Sequence, residues 1–282
     1  MADTAALDRR CRVGLVQLCS GADVAINLAA TAAAVDTAVA QGAEVVMVPE
    51  GFACLGTAAE RIAIAESLDD EGPILAACRA LARRHRIHLL LGGFPEACDE
   101  RRTWNTAVHL DPEGALLARY RKIHLFDVDL ADGTRLTESA STAAGDQPVL
   151  TRFPFGRTGL SICYDLRFAA LYETLVQGGA RVLTAPSAFT ASTGRDHWDV
   201  LLRARAIETQ CWMLAPAQVG AHGGGRVSFG HSLAVDPWGR VVLDLGEEPG
   251  VGVVEIDPRI VDEVRRRLPS LRHRRMIRGI TP

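Results

Sequence analysis

The strongest constraint on this chain is a repeated alternation of short apolar runs with longer stretches of helical spacing. Val13 to Leu18 is the first apolar run, and the Ala-rich segment Asn27 to Gln41 follows with Leu28, Val35 and Val39 on helical spacing, closed by Gly42. Val45 to Val48 is stopped by Pro49; Pro73 to Arg86 reads as a helix with proline near its start; His88 to Leu91 runs into Gly92-Gly93. Asn105 to Leu110 and Ala115 to Tyr120 flank the turn Asp111-Pro-Glu-Gly.

The order then recurs. Gly159 to Cys163 reads as a strand, Ala169 to Gln177 as a helix, Val182 to Ala185 as a strand stopped by Pro186, His197 to Gln210 as a helix and Cys211 to Ala215 as a strand. Leu233 to Asp236 and Val241 to Leu245 flank a second turn, Asp236-Pro-Trp-Gly. Gly42-Ala-Glu-Val-Val-Met-Val-Pro49 parallels Gly179-Ala-Arg-Val-Leu-Thr-Ala-Pro186, and Gly14-Leu15 parallels Gly159-Leu160. This pattern predicts an α/β fold of two similar sheet halves, with the sheets facing each other and helices outside, in a single domain over 1–282.

Several function classes drop out early. With 31 basic and 34 acidic side chains, formal net charge is −3, which excludes a strongly basic nucleic-acid binder. No apolar run approaches the roughly 18 residues of a spanning helix, and the first ten residues carry no apolar signal core, so no membrane partner and a soluble, cytoplasmic protein are expected. Seven cysteines at 11, 19, 54, 78, 98, 163 and 211 form no Cys-x-x-Cys, and His124, His197, His222 and His231 show no metal spacing. Neither metal nor organic cofactor is expected. The chain lacks Gly-x-Ser-x-Gly, a Walker loop and a dinucleotide fingerprint.

The residues that can carry chemistry stand at strand ends. Cys163, in Gly159-Leu-Ser-Ile-Cys-Tyr-Asp-Leu-Arg-Phe168, is placed where a strand gives way to a helix, whose N-terminus would favour a thiolate. A buried structural thiol and a Cys–His dyad remain alternatives. Glu50 follows the strand Val45 to Val48 and is either a turn residue or a carboxylate able to meet Cys163 across the two halves. Lys122 is the only lysine; the other thirty basic residues are arginine. An ammonium kept in so Arg-biased a chain implies a role that a guanidinium cannot fill, and if buried it needs a carboxylate. Glu138 lies in the aperiodic stretch 127–147, which reads as a long functional or mobile loop. Arg167 can pair with Asp165 or receive a substrate carboxylate.

Together Val48-Pro-Glu50, Tyr120-Arg-Lys-Ile-His124 and Ile162-Cys-Tyr-Asp-Leu-Arg-Phe168, in that order, resemble the nitrilase superfamily of carbon–nitrogen hydrolases, from Val13 to about Arg275. The resemblance implies a four-layer α-β-β-α sandwich and puts the family's Glu–Lys–Cys triad on Glu50, Lys122 and Cys163, with its additional active-site glutamate on Glu138. Pro186-Ser-Ala-Phe-Thr190, Asp196-His-Trp198, the helix Leu201 to Gln210, and Gly230-His-Ser232 with Val235 to Gly239 are similar to the Nit branch, amidases of 2-oxo-acid amides, and most similar to its deaminated glutathione amidases. The implied substrate is a small amide bearing a carboxylate, contacted by Arg167, Phe189 and Thr193, with a backbone N–H near Tyr164 at the oxyanion. The alternatives are an ω-amidase acting on 2-oxoglutaramate, another short-chain carbon–nitrogen hydrolase, or a catalytically silent interaction protein on the same scaffold. Ala221-His-Gly-Gly-Gly225 departs from the more polar loop of that type, at a candidate contact with the peptide part of the substrate. The resemblance also implies a homodimer, with the Trp198 to Gln210 helix and the tail 259–282, which holds eight arginines and two acids between 259 and 278, as candidate contacts.

Overall fold

The computed structural model describes residues 8–129, 135–223 and 225–275. In chain order the elements are β1 (Cys11–Gln17), α1 (Val24–Ala40), β2 (Val45–Met47), α2 (Ala58–Ala63), α3 (Pro73–His85), β3 (His88–Ala97), β4 (Thr103–Leu110), β5 (Leu116–Arg121), β6 (Asp127–Asp129), β7 (Arg135–Thr137) and β8 (Thr142–Ala143). There follow β9 (Leu150–Phe153), β10 (Gly156–Gly159), α4 (Ala169–Gln177), β11 (Val182–Thr184), α5 (Ala191–Thr209), β12 (Trp212–Ala215), β13 (Val219–Ala221), β14 (Val227–Phe229), β15 (Leu233–Val235), β16 (Val241–Asp244), β17 (Gly250–Ile256) and α6 (Arg259–Arg267).

Two sheets carry the architecture, ordered β17-β1-β2-β3-β4-β5 and β16-β15-β12-β11-β10-β9. In the first, β1, β2 and β3 are parallel, and β4, β5 and β17 join antiparallel. In the second, β10, β11 and β12 are parallel, and β15, β16 and β9 join antiparallel. Strand for strand the directions match, so the duplicated wording reflects a duplicated sheet. Gly14 and Gly159 sit at equivalent points on β1 and β10. A Cβ on the first would lie 2.8 Å from Ala38 of α1, and on the second 2.9 Å from Leu175 of α4, so each glycine lets the following helix lie close on its sheet.

Side-chain alternation fixes the layers. Val13, Leu15, Val45 and Met47 point into one contiguous apolar cluster with Phe153, Leu160 and Ile162 of the other half. Their neighbours Val16, Val46 and Val48 face the opposite way, onto Val35 and Ala38 of α1 and Leu75, Cys78 and Ala82 of α3. Leu175 of α4 and Trp198, Leu202 and Ala206 of α5 cover the outside of the second sheet. The result is the expected α-β-β-α sandwich. Among the described residues no helix is long and apolar enough to cross a membrane.

Four local expectations need correction. β3 does not stop at Gly92-Gly93 but runs on to Ala97, the register shifting between Leu91 and Phe94, so the glycines form a bulge inside the strand. α5 starts at Ala191, not His197, and buries Gly194 against Phe229. The strand before the cysteine ends at Gly159, and Cys163–Arg167 is a 3-10 turn. Within 127–147 lie the hairpin β6–β7, a 3-10 turn at Glu138–Ala140 and β8 paired to β4; positions 130–134 fall outside the described residues. The described part of the arginine-rich tail folds onto its own chain: Val261 and Val264 are buried, and Arg265 donates to the Ala180 carbonyl at 3.1 Å.

Candidate active site

Glu50, Lys122 and Cys163 come from three places in the sequence and meet at one end of the two sheets. Glu50 follows β2 and Pro49, and Lys122 follows β5 directly. The Lys122 N–H donates to the Asn105 carbonyl at 2.8 Å, extending the β4–β5 pairing by one residue. Cys163 opens its 3-10 turn with φ +47°, a left-handed conformation that costs a non-glycine residue about 1–2 kcal/mol.

Asp165 holds that turn. Its fully buried carboxylate accepts from the Ile162 N–H at 2.9 Å, the Tyr120 hydroxyl at 2.7 Å, the His124 N–H at 3.0 Å and His124 Nδ1 at 2.7 Å. Tyr120 and His124 flank Lys122, so one carboxylate ties the cysteine turn to the lysine segment. Of the two alternatives for Arg167, the pair with Asp165 does not form, because that carboxylate is taken up by Tyr120, His124 and the Ile162 N–H. Arg167 instead lies 3.4 Å from His197 Nδ1 and over the Phe189 ring at 5.2 Å. Among the described residues no Cys–His dyad forms: the Cys163 thiol is hydrogen-bonded to Glu50, while His124 is taken by Asp165, His197 lies against Arg167, His222 meets the Ser20 carbonyl and His231 is taken by Asp244 at 2.9 Å.

Lys122 Nζ is 3.0 Å from Glu50 Oε1 and 2.9 Å from Glu138 Oε2, with the lysine side chain only 2 % exposed. The Asn105 amide donates to Glu50 at 2.8 Å and to Glu138 at 3.2 Å. Backbone N–H groups complete the set, Ala188 to Glu50 Oε2 at 2.8 Å and Phe126 to Glu138 Oε2 at 2.7 Å. Gly93, at φ +63°, leaves room for this cluster: a Cβ there would stand 2.9 Å from Asn105 Oδ1 and 3.0 Å from Glu50 Cγ.

Electrostatics fix the resting protonation. Burial works to raise the Glu50 pKa, but Lys122, the Cys163 thiol and Asn105 outweigh it and hold the carboxyl well below its usual range. Burial works to lower the Lys122 pKa, and Glu138 and Glu50 reverse it, so the ammonium is firmly charged. The thiol is pushed up by burial and then by Glu50, with Lys122 opposing. This corrects the expected thiolate: a five-residue 3-10 turn has too little dipole to offset desolvation beside a carboxylate. The resting site thus presents an ionised base against a protonated thiol, with a fixed cation alongside. That set can move a proton from sulfur and stabilise charge on a carbonyl oxygen.

The site opens into a cavity of about 550 Å³, large enough for a dipeptide-sized ligand. Comparison with known proteins assigns the family. The sequence profile of the carbon-nitrogen hydrolases matches residues 12–266. This chain belongs to the carbon–nitrogen hydrolases of the nitrilase superfamily. A protein named deaminated glutathione amidase from Synechocystis sp. is 44 % identical over 263 residues, covering 92 % of this chain and 96 % of its own. One of the same name from Homo sapiens is 42 % identical over 276 residues, covering 94 % and 83 %. The crystal structure of the Caenorhabditis elegans NitFhit protein superposes with a TM-score of 0.89 at 40 % identity, over 95 % of this chain and 66 % of that one.

As a member of this family the chain hydrolyses carbon–nitrogen bonds, and a cavity opens at the Glu50–Lys122–Cys163 cluster. Tyr164, Phe189 and Thr193 line the cavity together with Glu50, Lys122, Glu138 and Cys163. Arg167 is not among the lining residues and stands behind Phe189 and Tyr164. Sequence reasoning missed Asn105, although a lone amide inside the strand Thr103–Leu110, two strands from Glu50, is a detectable signal. It also missed Arg61 and Arg226, which line the cavity from a short helix and a hairpin turn.

Proposed function

We propose that this carbon–nitrogen hydrolase is a cysteine amidase acting on deaminated glutathione, releasing 2-oxoglutarate and cysteinylglycine. The observation that carries the substrate is the 44 % identity, over nearly the full length of both chains, to a protein of that name. The chemistry rests on the Glu50–Lys122–Cys163 cluster and its cavity. Glu50 takes the thiol proton as Cys163 sulfur attacks the amide carbon. The oxyanion is held by Lys122 Nζ and the Tyr164 backbone N–H; one such donor is worth about 3 kcal/mol of barrier. Protonated Glu50 then gives its proton to the leaving nitrogen, the C–N bond breaks, and a thioester remains. Water enters, Glu50 takes its proton, and the second tetrahedral intermediate expels sulfur, which recovers the proton from Glu50. Glu138 keeps Lys122 in place through both steps. Tyr164, Phe189 and Thr193 contact the acyl half, and Arg167 supplies positive potential from behind them.

The test is turnover of purified protein with deaminated glutathione and, separately, 2-oxoglutaramate, followed by 2-oxoglutarate release. A higher kcat/KM for the first is expected; a preference for 2-oxoglutaramate would make the protein an ω-amidase instead. The protein acts as a homodimer on this reading, supported by exposed Val200 and Ile207 on α5 beside exposed Trp238. Sedimentation that gives a monomer at micromolar concentration would exclude it. A cytoplasmic location is supported by seven cysteines that are all free thiols.

A further inference from the structure

The cavity holds three cationic side chains, and among the described residues only Lys122 meets a carboxylate. Arg61, half-buried at the end of α2, donates to the Gly56 carbonyl at 2.8 Å and reaches Ser141 Oγ at 3.5 Å. Arg226 comes from the turn between β13 and β14, and its Nε is buried without an acceptor. The cavity's carboxylates are engaged elsewhere: Glu50 and Glu138 share Lys122 and Asn105, and Glu60 accepts from the Thr57 N–H at 2.7 Å and hydroxyl at 2.8 Å. Burial and then the Arg226 charge both work against the charged form of Arg61. Two guanidinium groups that line one cavity and, among the described residues, contact no carboxylate form an arrangement that a bound anion relieves.

His222 adds a directional group on the same wall. Its Nδ1 lies 2.7 Å from the Ser20 carbonyl, which only accepts, so the ring proton sits on Nδ1. Burial keeps the ring neutral. Nε2 is then a buried acceptor that finds no partner among the described residues, on a residue that lines the cavity. Buried polar atoms are rarely left unpaired in native proteins, and a substrate N–H reaching this wall would satisfy Nε2.

We propose that Arg61, Arg226 and His222 form the subsite for the leaving half of the amide, the guanidinium pair binding a terminal carboxylate and His222 Nε2 accepting from a substrate N–H. This rests on the amidase reading and deepens it. Deaminated glutathione carries a carboxylate at each end, and the one on the glycine side belongs to the amine that departs. 2-Oxoglutaramate, which releases ammonia, has nothing to place here, so the subsite separates the two substrates.

The experiment compares kcat/KM for deaminated glutathione and for its analogue with the glycine carboxylate converted to carboxamide, in wild type, Arg61→Gln and Arg226→Gln, with circular dichroism to verify folding. Wild type should prefer the acid by about tenfold or more, the usual range for a charge-assisted contact, and each variant should shrink that ratio by about tenfold. An unchanged ratio, with both analogues losing equally, overturns the subsite while leaving the amidase reading intact. Turnover of 2-oxoglutaramate alone overturns both. Turnover of none of the three refutes the substrate, and protection of Cys163 from iodoacetamide by cysteinylglycine then decides the subsite. Protection that is absent with cysteinylglycine amide and lost in Arg226→Gln retains it, and any other pattern overturns it.

Discussion

Replacing Lys122 by methionine removes the charge that lets the buried Glu50 and the part-buried Glu138 stand together. Glu50 and Glu138 both contact Nζ at about 3 Å and share the Asn105 amide. At an effective dielectric near 20, each contact is worth roughly 5 kcal/mol before desolvation is counted. Desolvation cancels most of that, and truncating one member of a buried ion cluster costs about 3–5 kcal/mol net. The loss depends on pH in a definite direction. In wild type the folded Glu50 pKa lies below its unfolded value, so its stabilisation is present above the unfolded pKa of about 4.3 and is lost as pH falls through the folded one. In Lys122→Met the charge that opposes burial of Glu50 is gone, so burial raises the folded Glu50 pKa above the unfolded value and that variant loses stability as pH rises. The difference between the two proteins is therefore expected to widen from pH 4 to pH 8, reaching about 3–5 kcal/mol. Urea unfolding at pH 5 and pH 8 measures it. Adding Glu138→Gln to Lys122→Met should recover much of the stability and none of the turnover. A difference independent of pH, or a single variant as stable as wild type at pH 8, would refute the buried-cluster argument.

Cys163→Ala should abolish amide turnover and leave the circular dichroism spectrum unchanged; residual activity above about one part in a thousand would remove sulfur as nucleophile. Because burial and Glu50 push the Cys163 thiol up, its alkylation by iodoacetamide should keep accelerating through pH 9, and a plateau below pH 8 would reveal a thiolate at rest. Because Glu50 is held below the usual carboxylate range, kcat/KM should show no acid limb between pH 5 and pH 7, and a midpoint near 6 would assign the base elsewhere. Asp165→Asn turns its NH2 toward two of the four donors, and thermal unfolding should register about 3 kcal/mol of lost stability with a fall in kcat; an unaltered melting temperature would deny Asp165 its hold on the cysteine turn.

The sandwich was legible because its strands are short, apolar and punctuated: Pro49 and Pro186 stop equivalent strands, and Gly14 and Gly159 mark equivalent helix contacts. Lys122 was legible by its rarity and Glu50 and Cys163 by their places at strand ends, and the triad and Glu138 together by resemblance. What escaped depends on non-local geometry. Gly92 and Gly93 read as a stop, yet the bulge they form carries β3 past the site. Thr193-Gly-Arg-Asp196 looks like loop, but Gly194 packs on Phe229 and draws those residues into α5. The strands of the hairpin β6–β7 are three residues each, too short and polar for periodicity to register. The thiol's state turned on burial, which a strand-to-turn junction does not disclose. Arg61 and Arg226 are 165 positions apart and share a wall only after folding.

The central claim, that an amide is opened by sulfur of Cys163 within this cluster, is tested most directly by trapping the acyl-enzyme. Protein mixed with deaminated glutathione, quenched with acid within milliseconds and analysed by peptide mass spectrometry should carry a 2-oxoglutaryl group on the peptide containing Cys163. Release of 2-oxoglutarate with Cys163 unmodified at every quench time, or an adduct on Cys54 or another thiol, would contradict the account.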